Sequence, residues 1–556
     1  MATNTIEIIC ENTGMTKSYT KGTTLDQIAA DQNIQLKEPV LGALINNKLR
    51  ELCYDVYKPK TVQFVDMTHP IGYRMYARSL AFIMYKAVMD MWPEATLRIE
   101  HSVSKGWYCE IDNVGIIIKP ENVEELEKKM KEIVMADIPF TRTEVRTEKA
   151  IALFQERQMS DKADLFGTRT DMYTSIYSLG DQINYFYGYL VPSTRYIHTF
   201  DLIPFNGGLL LRLPERHNPH HLPPVPRQEK LFKIFREHKK WGIIMKVPYV
   251  GNLNEAVAGH HESELIQVAE ALHEKKVARI ADKIFKRRHE VKIILISGPS
   301  SSGKTTFSKR LGVQLSVLGF RTRLISIDDY FVDRELTPRD ENGDYDFETI
   351  KAINVEKFNQ DLKDLIDGRQ IELPRFDFNE GKSKLSGKIL QLGDNDLLIV
   401  EGIHGLNPEL TPGIKPGQKF KVFVSALTQI SIDTQNPIPS TDNRLIRRIV
   451  RDYQYRGYSA LNTLRRWDSV RAGEEANIFP FQEQADIMFN SALFYELAVL
   501  KTMAEPILKE VQQNVPEYAE AVRLLKFLSF FRTIGSKEIP PTSILREFLG
   551  GSSFIY

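Results

Sequence analysis

The stretch that most restricts how this chain can fold is Ser-Gly-Pro-Ser-Ser-Ser-Gly-Lys-Thr-Thr at residues 297–306. It follows the apolar run Val-Lys-Ile-Ile-Leu-Ile-Ser, of the kind that forms a buried strand, and it opens the helical pattern Phe-Ser-Lys-Arg-Leu-Gly-Val-Gln-Leu. Gly298, four residues, then Gly303, Lys304 and Thr305 give GxxxxGK[ST] in the strand–loop–helix setting that a phosphate loop requires. The glycines let backbone N–H groups close around phosphate oxygens, and the helix start adds the positive end of its dipole. The expected cradle therefore runs from Gly298 through Ser300, Ser301, Ser302 and Gly303 to Thr306. Lys304 is expected to reach the terminal phosphates of a nucleoside triphosphate, and the Thr305 hydroxyl to bind Mg²⁺.

A triphosphate serves many classes of protein, so the companion residues decide. No NKxD guanine-reading stretch occurs. The next strand, Arg-Thr-Arg-Leu-Ile-Ser-Ile, ends in Asp328 and Asp329, where a base accepting a hydroxyl proton would stand at the carboxyl edge of a sheet. A later strand delivers Glu401 after four apolar residues, the place of an acid that orders Mg²⁺ or its waters. Arg444, Arg447, Arg448 and Arg451 then recur at i, i+3, i+4 and i+7, one cationic helix face with Arg456 beyond it. Beside a triphosphate, such a face reads as a lid that closes on the transferring phosphoryl group.

The succession GPSSSGKTT, SIDDYF, YDFETIKAINVEKF, LPRFDF, LLIVEGIHGL and RLIRRIVRDYQYRG resembles the uridine/cytidine kinases of the phosphoribulokinase and uridine kinase family, in the right order over about 290–500. That resemblance implies ATP as donor, Mg²⁺, and a nucleoside 5′-hydroxyl as acceptor. By position it makes Asp328 the catalytic base, Glu401 the acid on the Mg²⁺ side, and Arg448, Arg451 and Arg456 the lid arginines. Phe376 and Asp377 match a segment that touches the nucleoside, and Phe331 falls on the same acceptor side. The departures lie there too. Lys351 stands in the stretch that carries a ribose-binding Asp in the family, Phe376 replaces a Tyr, a base-contacting His has no counterpart in FDFNEGKSK, and Tyr458 replaces a further Arg.

Ahead of this region, residues 1–66 resemble the TGS module, a ubiquitin-like β-grasp unit, of threonyl-tRNA synthetases. Residues 67–213 resemble their editing domain, notably in WPEATLRIEHSVSKGWYCEID and SLGDQINYFYGYLVPST. The editing site's HxxxH positions hold Arg78 and Phe82, and its Cys and His positions hold Phe186 and Leu190. Those side chains neither bind a metal nor run a hydrolysis, so that chemistry is expected to be lost.

The chain thus reads as α/β overall. A β-grasp unit and an α+β editing-like unit precede a linker and connecting helix at 214–288, a P-loop kinase-like unit with a parallel sheet at 289–504 and a helical extension at 505–556. The proline- and histidine-rich stretch 214–227 cannot continue a helix or a sheet interior. The 73 basic and 72 acidic residues nearly cancel, so no global field recruits nucleic acid or membrane. Cys10, Cys53 and Cys109 are widely spaced and form no CxxC pair, the pattern of buried thiols in a reducing cytoplasm. The first residues lack a basic region followed by an apolar run, and every long apolar stretch is broken by charge, so export and membrane insertion are not expected. The leading expectation is an ATP- and Mg²⁺-dependent kinase acting on a small hydroxyl compound, a nucleoside above others. The competing one is an RNA- or tRNA-associated ATP-binding regulator, supported by the basic side of the helix near 275–288. Homo-oligomerisation is left open.

Overall fold

The computed structural model describes residues 4–113, 118–339, 343, 345–377 and 380–555. Phe378 and Asn379, within the stretch where the family's base-contacting histidine has no counterpart, lie outside them.

The strand Thr5–Cys10 alternates exposed and buried residues, placing Ile6, Ile8 and Cys10 on one face. The sheet order is Met15–Thr20, Thr5–Cys10, Lys60–Val65, Gly42–Ile45, Lys48–Arg50. The helix Leu25–Asp31 covers this sheet; Thr24 caps it by accepting from the Gln27 N–H while Gln27 returns the bond to the Thr24 N–H, a reciprocal capping box. Ile6, Ile8, Leu25, Ile28, Val62 and Phe64 form a core of their own.

The second unit is built on the helix Pro70–Met91, buried along most of its length, with Pro70 in its first turn and the His69 side chain capping the Ile71 N–H. Four antiparallel strands, ordered Asp201–Phe205, Gly208–Arg212, Gly106–Asp112 and Thr96–Val103, and a smaller sheet of Phe140–Arg146, Tyr173–Leu179 and Gln182–Asn184 accompany it. After the irregular proline-rich stretch come three helices, Glu229–Ile244, Val250–Ala258 and Glu262–Lys286, where the sequence reading anticipated one.

The third unit carries five parallel strands in the order Arg321–Ser326, Asp396–Glu401, Ile293–Ser297, Lys419–Ser425, Ile487–Asn490. Ile293–Ser297 and Asp396–Glu401 are buried at every residue, as strands covered on both faces must be, whereas the edge strand Arg321–Ser326 is half exposed. Chain order reverses at Ile293–Ser297, which opens a crevice at the carboxyl ends of the strands.

No break in apolar packing separates the second unit from the third. One cluster joins Leu80 and Phe82 to Ile266 and Val277, to Phe307 and Leu311 of the helix after the phosphate loop, and to Leu524 and Phe548 near the C-terminus. A fully buried ion pair crosses the same junction, Lys162 to Asp433 at 3.1 Å. Cys10 and Cys109 are buried as expected, but Cys53 is exposed, because it sits in the turn between Lys48–Arg50 and Asp55–Val56 rather than on a strand. No helix among the described residues is long and apolar enough to cross a membrane.

Candidate active site

Register brings three predicted residues to one place. Ile296 pairs with Glu401, and Glu401 pairs in turn with Ser326. Glu401 therefore ends the strand between the phosphate loop and the segment that carries Asp328 two residues beyond Ser326. The loop turns back on itself at Gly298 and Gly303. A Cβ on Gly298 would lie 1.9 Å from the Val424 carbonyl oxygen, and Gly303 has φ +80°, left-handed backbone that favours glycine.

Lys304 opens the following helix, and its ammonium donates to the carbonyl oxygens of Gly298 at 2.9 Å and Pro299 at 3.1 Å. Burial lowers its pKa, while the carboxylates of Glu401, Asp328 and Glu547 oppose that. The Thr305 hydroxyl donates to Glu401 at 3.1 Å. Burial, above all, pushes the Glu401 carboxyl up to about 7, with Lys304 working against it and Asp328 and Glu547 adding to it. A hydroxyl oxygen and a buried carboxylate with no ion pair among the described residues are hard oxygen donors of the kind Mg²⁺ takes when phosphates and water complete its shell. Thr305 and Glu401 thus fit the ion the sequence implied; among the described residues no cluster of three metal-ligating side chains occurs.

Asp328 lies in a short 3₁₀ turn, open to the crevice on one side and walled by protein on the others. The walls raise its carboxyl above the usual range, opposed by Lys304 first and then by Arg456 and Arg451. Base candidate, cradle lysine and two of the predicted arginines therefore share one electrostatic pocket.

The arginine helix, Ser440–Arg456, divides into two parts. Arg444 and Arg447 are buried struts rather than members of an open cationic face. Arg444 forms a two-pronged pair with Glu474, whose carboxylate also accepts from the Ser300 N–H at 3.0 Å, and Arg444 donates to the Ser300 carbonyl oxygen at 3.2 Å. Arg447 donates to the Ser301 carbonyl oxygen at 3.3 Å and pairs with Glu496 at 2.5 Å. Further along, Arg448 donates to the Ser300 hydroxyl at 2.8 Å, and Arg448, Arg451 and Arg456 gather around the buried Asp452 at 3.2, 2.8 and 3.6 Å. Gly457, in left-handed backbone, ends the helix.

The C-terminal segment reaches the cradle as well. The Glu547 carboxylate accepts from the Thr306 N–H at 3.1 Å and from the Thr306 hydroxyl at 2.6 Å, occupying a first-turn donor of the kind that phosphate oxygens take. Ile544 packs so closely on Gly303 that a Cβ there would stand 2.7 Å from it. Another part of the same extension lies on the N-terminal units, with Glu520 bonded to Arg74 at 2.7 Å.

On the acceptor side, Phe331 and Phe376 meet edge to face at 5.5 Å, and Phe331 meets Phe347 at the same separation, an aromatic wall in the core beneath Asp328. The Asp377 carboxylate accepts from the Glu380 N–H at 3.2 Å, at the start of the hairpin turn. Lys351 is exposed on its own 3₁₀ turn. The acid three residues earlier, Glu348, lies within the field of Asp328, Arg448 and Lys304; burial first, then Glu474, pushes it up to about 7, and its Oε2 has no hydrogen-bond partner. Sequence reasoning passed over Glu348, Asp452, Glu474, Glu496 and Glu547. Of these, Glu348 carried a local signal, an acid at the end of Tyr-Asp-Phe-Glu within a stretch already singled out.

In the N-terminal unit, the positions of the lost editing groups are filled by packing: Phe82 and Phe186 meet at 5.1 Å and Leu190 is buried. Arg78 donates to the Tyr189 carbonyl oxygen at 2.9 Å.

Comparison with known proteins agrees with the two halves. The N-terminal part is similar to "Threonine--tRNA ligase" of Syntrophomonas wolfei, 29% identical over 195 residues that make up 35% of this chain and 31% of that relative. It is likewise similar to "Threonine--tRNA ligase 1" of Bacillus subtilis, 30% identical over 195 residues, 35% of this chain and 30% of that relative. The chain thus spans about a third of the length of these curated relatives. Among solved structures, similarity extends to one described as "a Possible Uridine Kinase from Bacillus stearothermophilus", at 21% identity and a TM-score of 0.24, covering 36% of this chain and 89% of that one. It extends also to D-glycerate 3-kinase from Cryptococcus neoformans var. grubii, at 15% identity and a TM-score of 0.20, covering 46% of this chain and 87% of that one. Residues 293–496 match the Phosphoribulokinase / Uridine kinase family, and the chain joins that family segment to an N-terminal region similar to threonine–tRNA ligases.

Proposed function

We propose that the third unit transfers the γ-phosphoryl group of ATP to a hydroxyl of a small acceptor, with a nucleoside 5′-hydroxyl as the leading candidate. The observation that carries this reading is the place of Asp328, two residues beyond the Ser326–Glu401 pair at the carboxyl edge of the parallel sheet, with Lys304, Arg456 and Arg451 in its field. A nucleotide switch has no use for a carboxylate so placed.

In this reading the acceptor oxygen attacks the γ-phosphorus, an O–P bond forms, and the bond to the β-phosphate oxygen breaks to release ADP. Asp328 takes the hydroxyl proton. Lys304 and the arginines around Asp452 offset the charge on the transferring group, so catalysis is positioning and electrostatics. Thr305 and Glu401 would hold Mg²⁺, which supplies charge neutralisation of the phosphates. The phenylalanine wall and Glu348 shape the acceptor side. Glu547 must leave the Thr306 N–H before a phosphate oxygen can take it.

The test is ADP release over a panel of nucleosides and sugars, run beside Asp328→Asn. Acceptor-dependent release that the variant loses supports the reading; release independent of every acceptor defeats it. The second reading, an ATP-binding regulator that contacts RNA, rests on Lys275, Arg279 and Lys283, all exposed along one side of Glu262–Lys286. A gel shift of the full chain with tRNA that disappears in a triple glutamine variant would favour it.

A further inference from the structure

Two acids reach the phosphate loop from far along the chain, and they are held in different ways. Glu474 accepts the Ser300 N–H at 3.0 Å, is fully buried, and is clasped by both prongs of Arg444. Glu547 accepts the Thr306 N–H at 3.1 Å and the Thr306 hydroxyl at 2.6 Å, and it is half-buried. It lies in the field of Lys304, yet among the described residues it makes no ion pair. The first acid is neutralised where it stands. The second spends its charge on a backbone donor in the first turn of the helix Lys304–Val317, the kind of donor that phosphate oxygens take.

The backbone that carries Glu547 is firmly seated. Ile544, Leu545 and Phe548 are fully buried, and the Arg447 guanidinium lies over the Phe548 ring at 5.0 Å. Arg546 ties the short helix Arg546–Leu549 back to the carbonyl oxygens of Ser536 and Ile539 at 2.9 and 2.6 Å. These anchors stay in place when the Glu547 side chain turns about its own bonds, so the carboxylate is the moving part of a fixed pedestal. The Lys304 ammonium is likewise turned inward, onto the carbonyl oxygens of Gly298 and Pro299, so both signs of charge in the cradle are satisfied from within the chain.

We propose that Glu547 is an autoinhibitory group: its carboxylate stands on Thr306 in place of a nucleotide phosphate oxygen and is displaced each time a nucleotide binds. A phosphate chain brings more charge and more acceptor oxygens than one carboxylate, so it wins the contest once its concentration is high enough. Until then the apparent affinity is lowered by the fraction of molecules whose carboxylate has swung away. The device rests on one part of the reading above, that the loop binds a nucleotide, and not on phosphoryl transfer. A Glu547 that instead gripped the nucleotide would give the opposite sign on removal.

The test is calorimetry of ADP binding to the full chain and to two variants, with no acceptor present. Glu547→Ala should bind ADP about tenfold more tightly than the unaltered chain, the worth of the charge-assisted bonds it removes. Glu547→Gln keeps the shape and an acceptor for the Thr306 N–H but sheds the charge, so it should fall between the two. Melting temperatures supply a second readout with a change of sign. Without ligand, Glu547→Ala should melt below the unaltered chain, because the Thr306 N–H loses its acceptor; in saturating ADP it should melt above. A side chain that merely braces the fold would lower both. ADP affinity that is unchanged or weaker in both variants, or no ADP binding by any of the three forms, overturns the proposal. A failed acceptor panel with Asp328→Asn would leave this result untouched, so the two readings fail separately.

Discussion

The phosphate loop and the editing-like unit both fasten cationic side chains to backbone carbonyl oxygens, but they partner them differently. Around the loop every cation has an acid at hand: Glu401, Asp328 and Glu547 for Lys304, Glu474 for Arg444, Glu496 for Arg447, and Asp452 for the last three arginines. In the editing-like unit, Arg78 donates to the Tyr189 carbonyl oxygen and has no ion pair among the described residues. A site that must release its product gains from such internal balance, because the loop keeps its shape when the phosphates depart.

The most severe test of this contrast is Asp328→Asn, which should lower the phosphoryl-transfer rate about 1,000-fold and leave ATP affinity within about twofold, as loss of a general base does. Lys304→Ala should damage both quantities; equal loss of ATP affinity in the two variants would break the assignment. Next comes Arg447→Met, which strands Glu496 in the interior and should cost about 3 kcal/mol, read by denaturant unfolding, with the loop loosened at Ser301. Glu547→Gln should tighten nucleotide binding about threefold to tenfold by removing an anion from the helix start, measured by calorimetry.

The pH dependence sharpens the same comparison. Because the folded-state pKa of Glu401 is raised to about 7 from 4.5, the carboxylate that Mg²⁺ needs is lost as pH falls below about 7. Affinity for the Mg²⁺ nucleotide should therefore fall about tenfold per pH unit below that point. Metal-free stability moves the other way: the fold holds a proton that the unfolded chain releases, so stability declines as pH rises from about 4.5 to about 7. The smallest effect belongs to the editing-like unit, where Phe82→Leu should cost about 1 kcal/mol of stability and leave phosphoryl transfer untouched.

The sequence exposed the parts of the site whose signals are local. Glycine spacing marks the loop, Glu401 stands out because it follows an apolar strand, and Asp328 because it closes the first strand pattern after the loop. The balancing acids were hidden because their meaning depends on partners far along the chain: Glu474 meets Ser300 across 174 positions and Glu547 meets Thr306 across 241. Arg444 and Arg447 were read as part of an open face because periodicity defines which residues share a side of a helix, not whether another helix covers it. The helices Glu229–Ile244 and Val250–Ala258 escaped notice beside the proline-rich stretch. The apolar core that runs from Phe82 to Phe307 and Phe548 could not be read from boundaries drawn by composition.

The two struts on Ser440–Arg456 set the reach of any motion that brings arginine to phosphate. With Arg444 and Arg447 fastened to the carbonyls of Ser300 and Ser301, the front of that helix travels with the loop as one piece. Arg448 is fastened to the same loop through the Ser300 hydroxyl, and Gln454 of the last turn is bonded to the Leu549 carbonyl oxygen, so what is left to reach forward is the side chains of Arg451 and Arg456. The machine would advance its charges by flexing a wrist rather than by lowering an arm.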